Sequence, residues 1–142
     1  MRAISLWQPW ATLIAIGAKR IETRSWYPCY TGPLAIHASK GGLSKRDFAE
    51  VCAIPEIWDA LLYVDDLPRG AVICVCELAR VFSTNNEIPS KPETVFGDYS
   101  ANRFGWVLEN VRALPRPIPF KGSQGWFEVP DELITAELGD RR

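Results

Sequence analysis

The chain has 142 residues, of which 47% are hydrophobic and 23% charged, with a formal net charge of −1. That length supports one core, expected as a single domain over residues 1–142, and no apolar run approaches the length that crosses a bilayer. A near-neutral chain does not attract a phosphate backbone by bulk charge, so any such contact has to come from a local basic face.

Residues 2–6 are expected to form a first strand. Gln8-Pro9-Trp10 then opens a helix, with proline near the first turn, where its missing N–H costs little. Trp10, Leu13, Ile14 and Gly17 fall on one helical stripe, and Gly17 suits the left-handed closing position. From 20 to 24 the pattern becomes strand-like. Arg20, Glu22 and Arg24 point one way, Ile21 and Thr23 the other. Lys19 lies in the preceding turn, so alternation does not fix its direction. Gly32-Pro33 restarts the chain into a strand over 34–38.

Residues 44–62 read as helical, with Ser44 as N-cap, Asp47 completing a variant capping box and Pro55 breaking the segment. After Gly70, residues 71–82 form the strongest β run, with Glu77 an acid inside it. Residues 83–102 show almost no apolar period, and a loop of that length in a compact domain is usually functional or mobile. Residues 104–111 return to strand. Pro115, Pro117 and Pro119 permit only edge strand or extended chain beyond it. A turn at 121–125, a short strand at 126–129 and a helix capped by Asp131 follow. The order suggests an α+β fold, a small mixed β-barrel with helices packed on its outside.

Cysteines stand at 29, 52, 74 and 76. A zinc site wants two pairs of ligands, and the single His37 does not supply the second, so the thiols are expected to be reduced and packed as small hydrophobes, with no metal and no cofactor. Met1-Arg2-Ala3-Ile4-Ser5-Leu6-Trp7 lacks a signal-peptide core, which makes the cytoplasm the expected location, with no membrane partner.

Between Gly17 and Arg46 there are six Lys or Arg residues (19, 20, 24, 40, 45 and 46) against one acid, Glu22; from Asp47 to Asp66 there are six acids and no Lys or Arg. The densest part is Gly17, Lys19, Glu22 and Arg24. It resembles the Gly-x-Lys-x-x-Glu-x-Arg pattern of the ASCH family, the activating signal cointegrator 1 homology domain, within the PUA-like superfamily. Ile4-Ser5-Leu6-Trp7-Gln8-Pro9-Trp10-Ala11 before it and Ser25-Trp26-Tyr27 after it fit the same family. So do Arg103 to Val111, Pro117 to Gly122 and Gln124-Gly125, which are similar to the branch related to the coactivator itself.

The resemblance implies a PUA-like β-barrel with a cleft where the motif gathers, and a partner that is RNA or a modified nucleotide, with DNA open. Lys19 and Arg24 would meet phosphate or a base edge. Glu22 would accept from an exocyclic amine. Trp26 and Tyr27 are the favoured stacking faces, ahead of Trp7 and of Trp10, which belongs to the helix core. Ser39, Lys40 and Lys45 would extend a phosphate path, and Lys121, Gln124, Asp98, Tyr99 and Arg103 would form rims.

A branch of small bacterial relatives implies a second reading, hydrolysis of N4-acetylcytidine by a Lys, a Thr three residues later and a distant Glu. Lys19 and Glu77 match, but Glu22 stands at the Thr position and Thr23 faces the other way. On the binding reading, Glu77 would be a buried partner that orients or neutralises Lys19. A metal-independent ribonuclease using Lys19, Glu22, Arg24 and His37 is a third reading. A protein-interaction domain, marked by an exposed apolar patch, is a fourth.

Overall fold

The computed structural model describes residues 1–139. Strand β1 (Arg2–Leu6) leads into helix α1 (Trp10–Ala15), then β2 (Ile21–Arg24) and β3 (Gly32–Ala38). Two short helices follow, α2 (Lys45–Cys52) and α3 (Pro55–Ala60), before the long strands β4 (Ala71–Ser83) and β5 (Phe104–Pro119). Strand β6 (Phe127–Glu128) and helix α4 (Asp131–Leu138) complete the described chain.

The strands form one six-stranded mixed sheet in the order β2-β5-β4-β3-β1-β6. β1 and β3 run parallel, and the other ladders are antiparallel. Three register shifts along β4–β5 and one along β3–β4 bend the sheet, because a bulge adds local twist. The expected barrel is present as a curled sheet whose ladder does not close. Trp26, just after β2, and Trp126, just before β6, meet edge to face at 5.6 Å. Trp106 of β5 lies 4.9 Å from Trp26 and 5.5 Å from Trp126. Aromatic packing therefore fills the seam between the two edge strands.

Alternation along the strands feeds two cores. Ile4, Leu6, Leu34, Ile36, Cys74 and Cys76 face the side covered by Ala11 and Ile14 of α1. Ala3, Ala35, Val75, Leu114 and Ile118 face the side covered by Ile134 of α4. Cys74 and Cys76 share one face, as their spacing predicts, and burial pushes the Cys76 thiol up to about 12. All four cysteines are free.

The local signals explain most boundaries. The buried Gln8 side chain caps α1 from outside: its Oε1 accepts from Thr12 N at 2.9 Å, and its Nε2 donates to Thr12 Oγ1 at 2.7 Å and to Pro68 O at 2.8 Å. Gly17 takes φ +83° and ends the turn. Ser44 Oγ accepts from Asp47 N at 3.1 Å, the expected N-cap of α2, and Pro55 opens α3. The prolines 115, 117 and 119 lie inside β5, where β4 pairs one side and β2, which reaches only Val107, leaves the other open. They sit on an edge, as the missing donors require.

Candidate nucleic-acid interface

The motif is held from two directions. Lys19 leaves the α1–β2 turn and runs inward, and its side chain is 1% exposed. Its ammonium donates to Ile21 O at 2.7 Å and Phe96 O at 2.7 Å and lies 3.5 Å from Glu22 Oε1. Those partners use all three donors of the group. Burial pulls the Lys19 ammonium below its ordinary value, opposed by the nearby Glu22 and Glu93 carboxylates. Glu22 and Arg24 share one face of β2, as alternation predicts, and Arg24 Nε donates to Glu22 Oε2 at 2.9 Å. Arg24 Nη2 donates to Ser5 O at 2.8 Å, and no bond among the described residues uses Nη1.

The segment expected as a functional or mobile loop folds back over this motif through a 3₁₀ turn at Glu93–Val95. Glu93 Oε1 accepts from Arg20 N at 2.7 Å, and Asp98 N donates to Thr23 Oγ1 at 3.0 Å. Arg103 Nη2 donates to Thr23 O at 3.3 Å. Glu93 Oε2 and the Tyr99 hydroxyl are buried without a protein partner, and burial pushes both groups' ionisation upward. Sequence reasoning did not mark Glu93: it lies 73 residues from the backbone amide it receives.

Two adjoining cavities open over this structure. The first, about 570 Å³, is walled by Trp7, Lys19, Glu22, Arg24, Asp98 and Arg103 among others. The second, about 980 Å³, is walled by Trp26, His37, Ser39, Lys40, Lys121 and Gln124 among others. Ser5, Trp7 and Arg24 line both, so the two form one cleft.

Most of the expected site residues gather here, with five departures. Glu77 is exposed on β4, opposite Glu109, and lines a separate hollow with Met1 and Asn110, so it is not the partner of Lys19. The carboxylates beside Lys19 are Glu22 and Glu93. Lys19 itself has no free donor to offer a phosphate; it anchors Glu22 and the loop. Trp26 packs into the seam while one side lines the second cavity, and Trp7, 50% exposed, is an aromatic face at the junction. Tyr27 packs its ring on Phe104 and, like Lys45, lines neither cavity.

A family profile described as the ASCH domain matches residues 4–117. The chain belongs to the ASCH domain family. This is a PUA-like family associated with RNA binding. Among curated proteins, activating signal cointegrator 1 of Mus musculus and of Homo sapiens are each 27% identical over 132 residues, covering 92% of this chain and 22% of the relative. The chain thus spans about a fifth of the length of those relatives. Among solved structures, an ASCH protein from Zymomonas mobilis aligns with TM-score 0.57 at 16% identity, covering 94% of this chain and 90% of that one. A single-substitution variant of the same protein aligns with TM-score 0.58 at 17% identity, covering 94% and 96%. At that identity the likeness shows the ASCH fold. No helix among the described residues is long and apolar enough to cross a membrane.

Proposed function

We propose that the joined cleft binds single-stranded nucleic acid, RNA in particular, with one base in the first cavity and the backbone along the second. The observation that carries this reading is the division of charge. The second cavity is lined by Arg24, Lys40 and Lys121 and by no Asp or Glu, on a chain whose net charge is −1. Ser39, Ser123 and Gln124 add neutral donors to the same wall. An acid-free groove with several cations tracks phosphates.

The first cavity has the opposite character. Glu22, held between Lys19 and Arg24, keeps lone pairs for the N–H donors of a base edge, and Arg24 Nη1 offers a donor beside it. Trp7 at the junction supplies a flat face for that base. Lys19 with its donors filled, and Glu77 on another face, favour binding over the hydrolytic reading that would use both. The apolar residues Trp58, Leu62 and Tyr63 are exposed near α3 and line neither cavity.

The test is fluorescence anisotropy with labelled single-stranded RNA, single-stranded DNA and duplex RNA. Binding to single strands is expected, weakening as salt rises. Lys40→Ala with Lys121→Ala should flatten the log–log salt slope by about two, one for each phosphate no longer neutralised. Equal binding by wild type and double variant at every salt concentration would overturn the reading.

A further inference from the structure

The second cavity also contains a pair that phosphate binding does not require. Ser5 on β1 and His37 on β3 are register partners in the parallel ladder. His37 Nε2 lies 2.6 Å from the carbonyl oxygen of Phe120. A carbonyl only accepts, so in the neutral ring Nε2 carries the proton and Nδ1 is left as a base. Nδ1 lies 2.8 Å from Ser5 Oγ, and the hydroxyl therefore donates to it. The imidazole is 2% exposed, while the half-buried Ser5 lines both cavities.

Two further features surround the pair. A Cβ on Gly122 would fall 2.5 Å from Ser5 Oγ and 2.6 Å from His37 Nδ1. Gly122 does not have a left-handed φ, so its missing side chain answers to this close approach and not to backbone strain. The backbone amides of residues 121–125 make no hydrogen bond to backbone among the described residues, and Arg24 Nη1 is unpaired on the same cavity wall. An imidazole-primed hydroxyl beside unpaired donors is the constellation that acyl transfer uses, the donors serving a developing oxyanion.

We propose that Ser5 is a nucleophile activated by His37, and that the second cavity performs esterase-type acyl transfer on small carboxylic esters, independently of nucleic-acid binding. Ser5 Oγ bonds to the ester carbonyl carbon as its proton passes to His37 Nδ1, and the carbonyl π pair moves onto oxygen. Collapse of that adduct breaks the bond to the alkoxy group, which takes the proton from Nδ1 and leaves as the alcohol. Water then attacks acyl-Ser5 and gives a proton to Nδ1. Collapse returns that proton to Ser5 Oγ and frees the carboxylic acid. Nothing is oxidised or reduced. His37 holds its Nε2 proton on Phe120 O throughout.

The test pairs a fluorophosphonate probe, mapped by peptide mass spectrometry, with p-nitrophenyl acetate turnover. Wild type should carry the probe on Ser5, and Ser5→Ala should carry none. His37→Gln is the informative variant, because a glutamine amide can still donate to Phe120 O while offering Ser5 no base. It should react at least tenfold more slowly, with a circular dichroism spectrum that shows the fold retained. A His37→Gln protein labelled at the wild-type rate, or Ser5→Ala turning over the ester at that rate, would overturn the proposal. The wild-type measurement stands without either variant: an unmodified Ser5 overturns it directly.

Discussion

The two halves of the cleft are built by opposite means. In the first cavity every charged group answers to another: Lys19 to Glu22, Glu22 to Arg24, Arg103 to Asp98. In the second, Lys40 and Lys121 have no acidic partner among the described residues. A neutralised, buried network holds a fixed arrangement of donors and acceptors, which suits discrimination among bases. Unpaired cations on exposed loops attract a polyanion without reading it. The first cavity should therefore govern stability and specificity, and the second should govern affinity and its dependence on salt.

The largest effect should come from breaking the buried network. Lys19→Ala leaves Glu22 without one of its two cations and strips a donor from Ile21 O and Phe96 O. Removing one member of a buried ion pair typically costs about 3–5 kcal/mol. Urea unfolding should show a loss of that order, whereas Lys40→Ala, at the surface of the second cavity, should unfold within about 0.5 kcal/mol of wild type. Similar midpoints for the two variants would erase the contrast between the cavities. Burial separates Lys19 from a surface phosphate ligand, whose removal would leave the melting temperature almost unchanged.

Trp7 sits where the cavities meet and should separate binding from stability. Its side chain is half exposed, so Trp7→Ala removes little core. If a base stacks on it, the variant should lose about 1–3 kcal/mol of single-strand affinity, measured by anisotropy. Trp26→Ala should instead lower the unfolding midpoint, because Trp26 packs on Trp106 and Trp126 in the seam. A Trp7→Ala protein that binds as tightly as wild type would move the stacking face elsewhere.

Much of this was legible in the sequence because it is local. Alternation along 20–24 placed Glu22 and Arg24 on one face, and they pair there. Ser44, Pro55 and the proline-bearing end of β5 act through neighbours a few residues away. What was not legible depends on distant chain segments. Glu93 reaches the motif from the loop beyond β4, and Ser5 meets His37 through a parallel register across 32 residues. Glu77 stood out as an acid in an apolar run, but an exposed position on a strand accounts for it without a partner. Trp26 follows a charged strand, yet the curl of the sheet carries it inward, a property of the whole sheet that no local pattern encodes.

The smallest effect concerns Glu93, the carboxylate that the loop brings to the Arg20 amide and to the neighbourhood of Lys19. Burial raises its pKa above the ordinary value, despite the hydrogen bond from the Arg20 amide and the nearby Lys19 charge that act the other way. Its Oε2 is buried with no protein partner. A carboxyl whose folded pKa is raised binds its proton more tightly in the folded state. It therefore contributes stability below its unfolded pKa, and that contribution is lost as pH rises through the raised folded value. Glu93→Gln cannot titrate, so the variant escapes this loss. Any fixed cost of burying the amide is the same at every pH and cancels from the comparison. The stability of Glu93→Gln relative to wild type, taken from urea unfolding at matched pH, should thus shift in favour of the variant on going from pH 4 to pH 7. A gap that stays constant, or moves toward wild type, would mean that Lys19 compensates the buried charge fully and that the loop carboxylate is held without electrostatic cost.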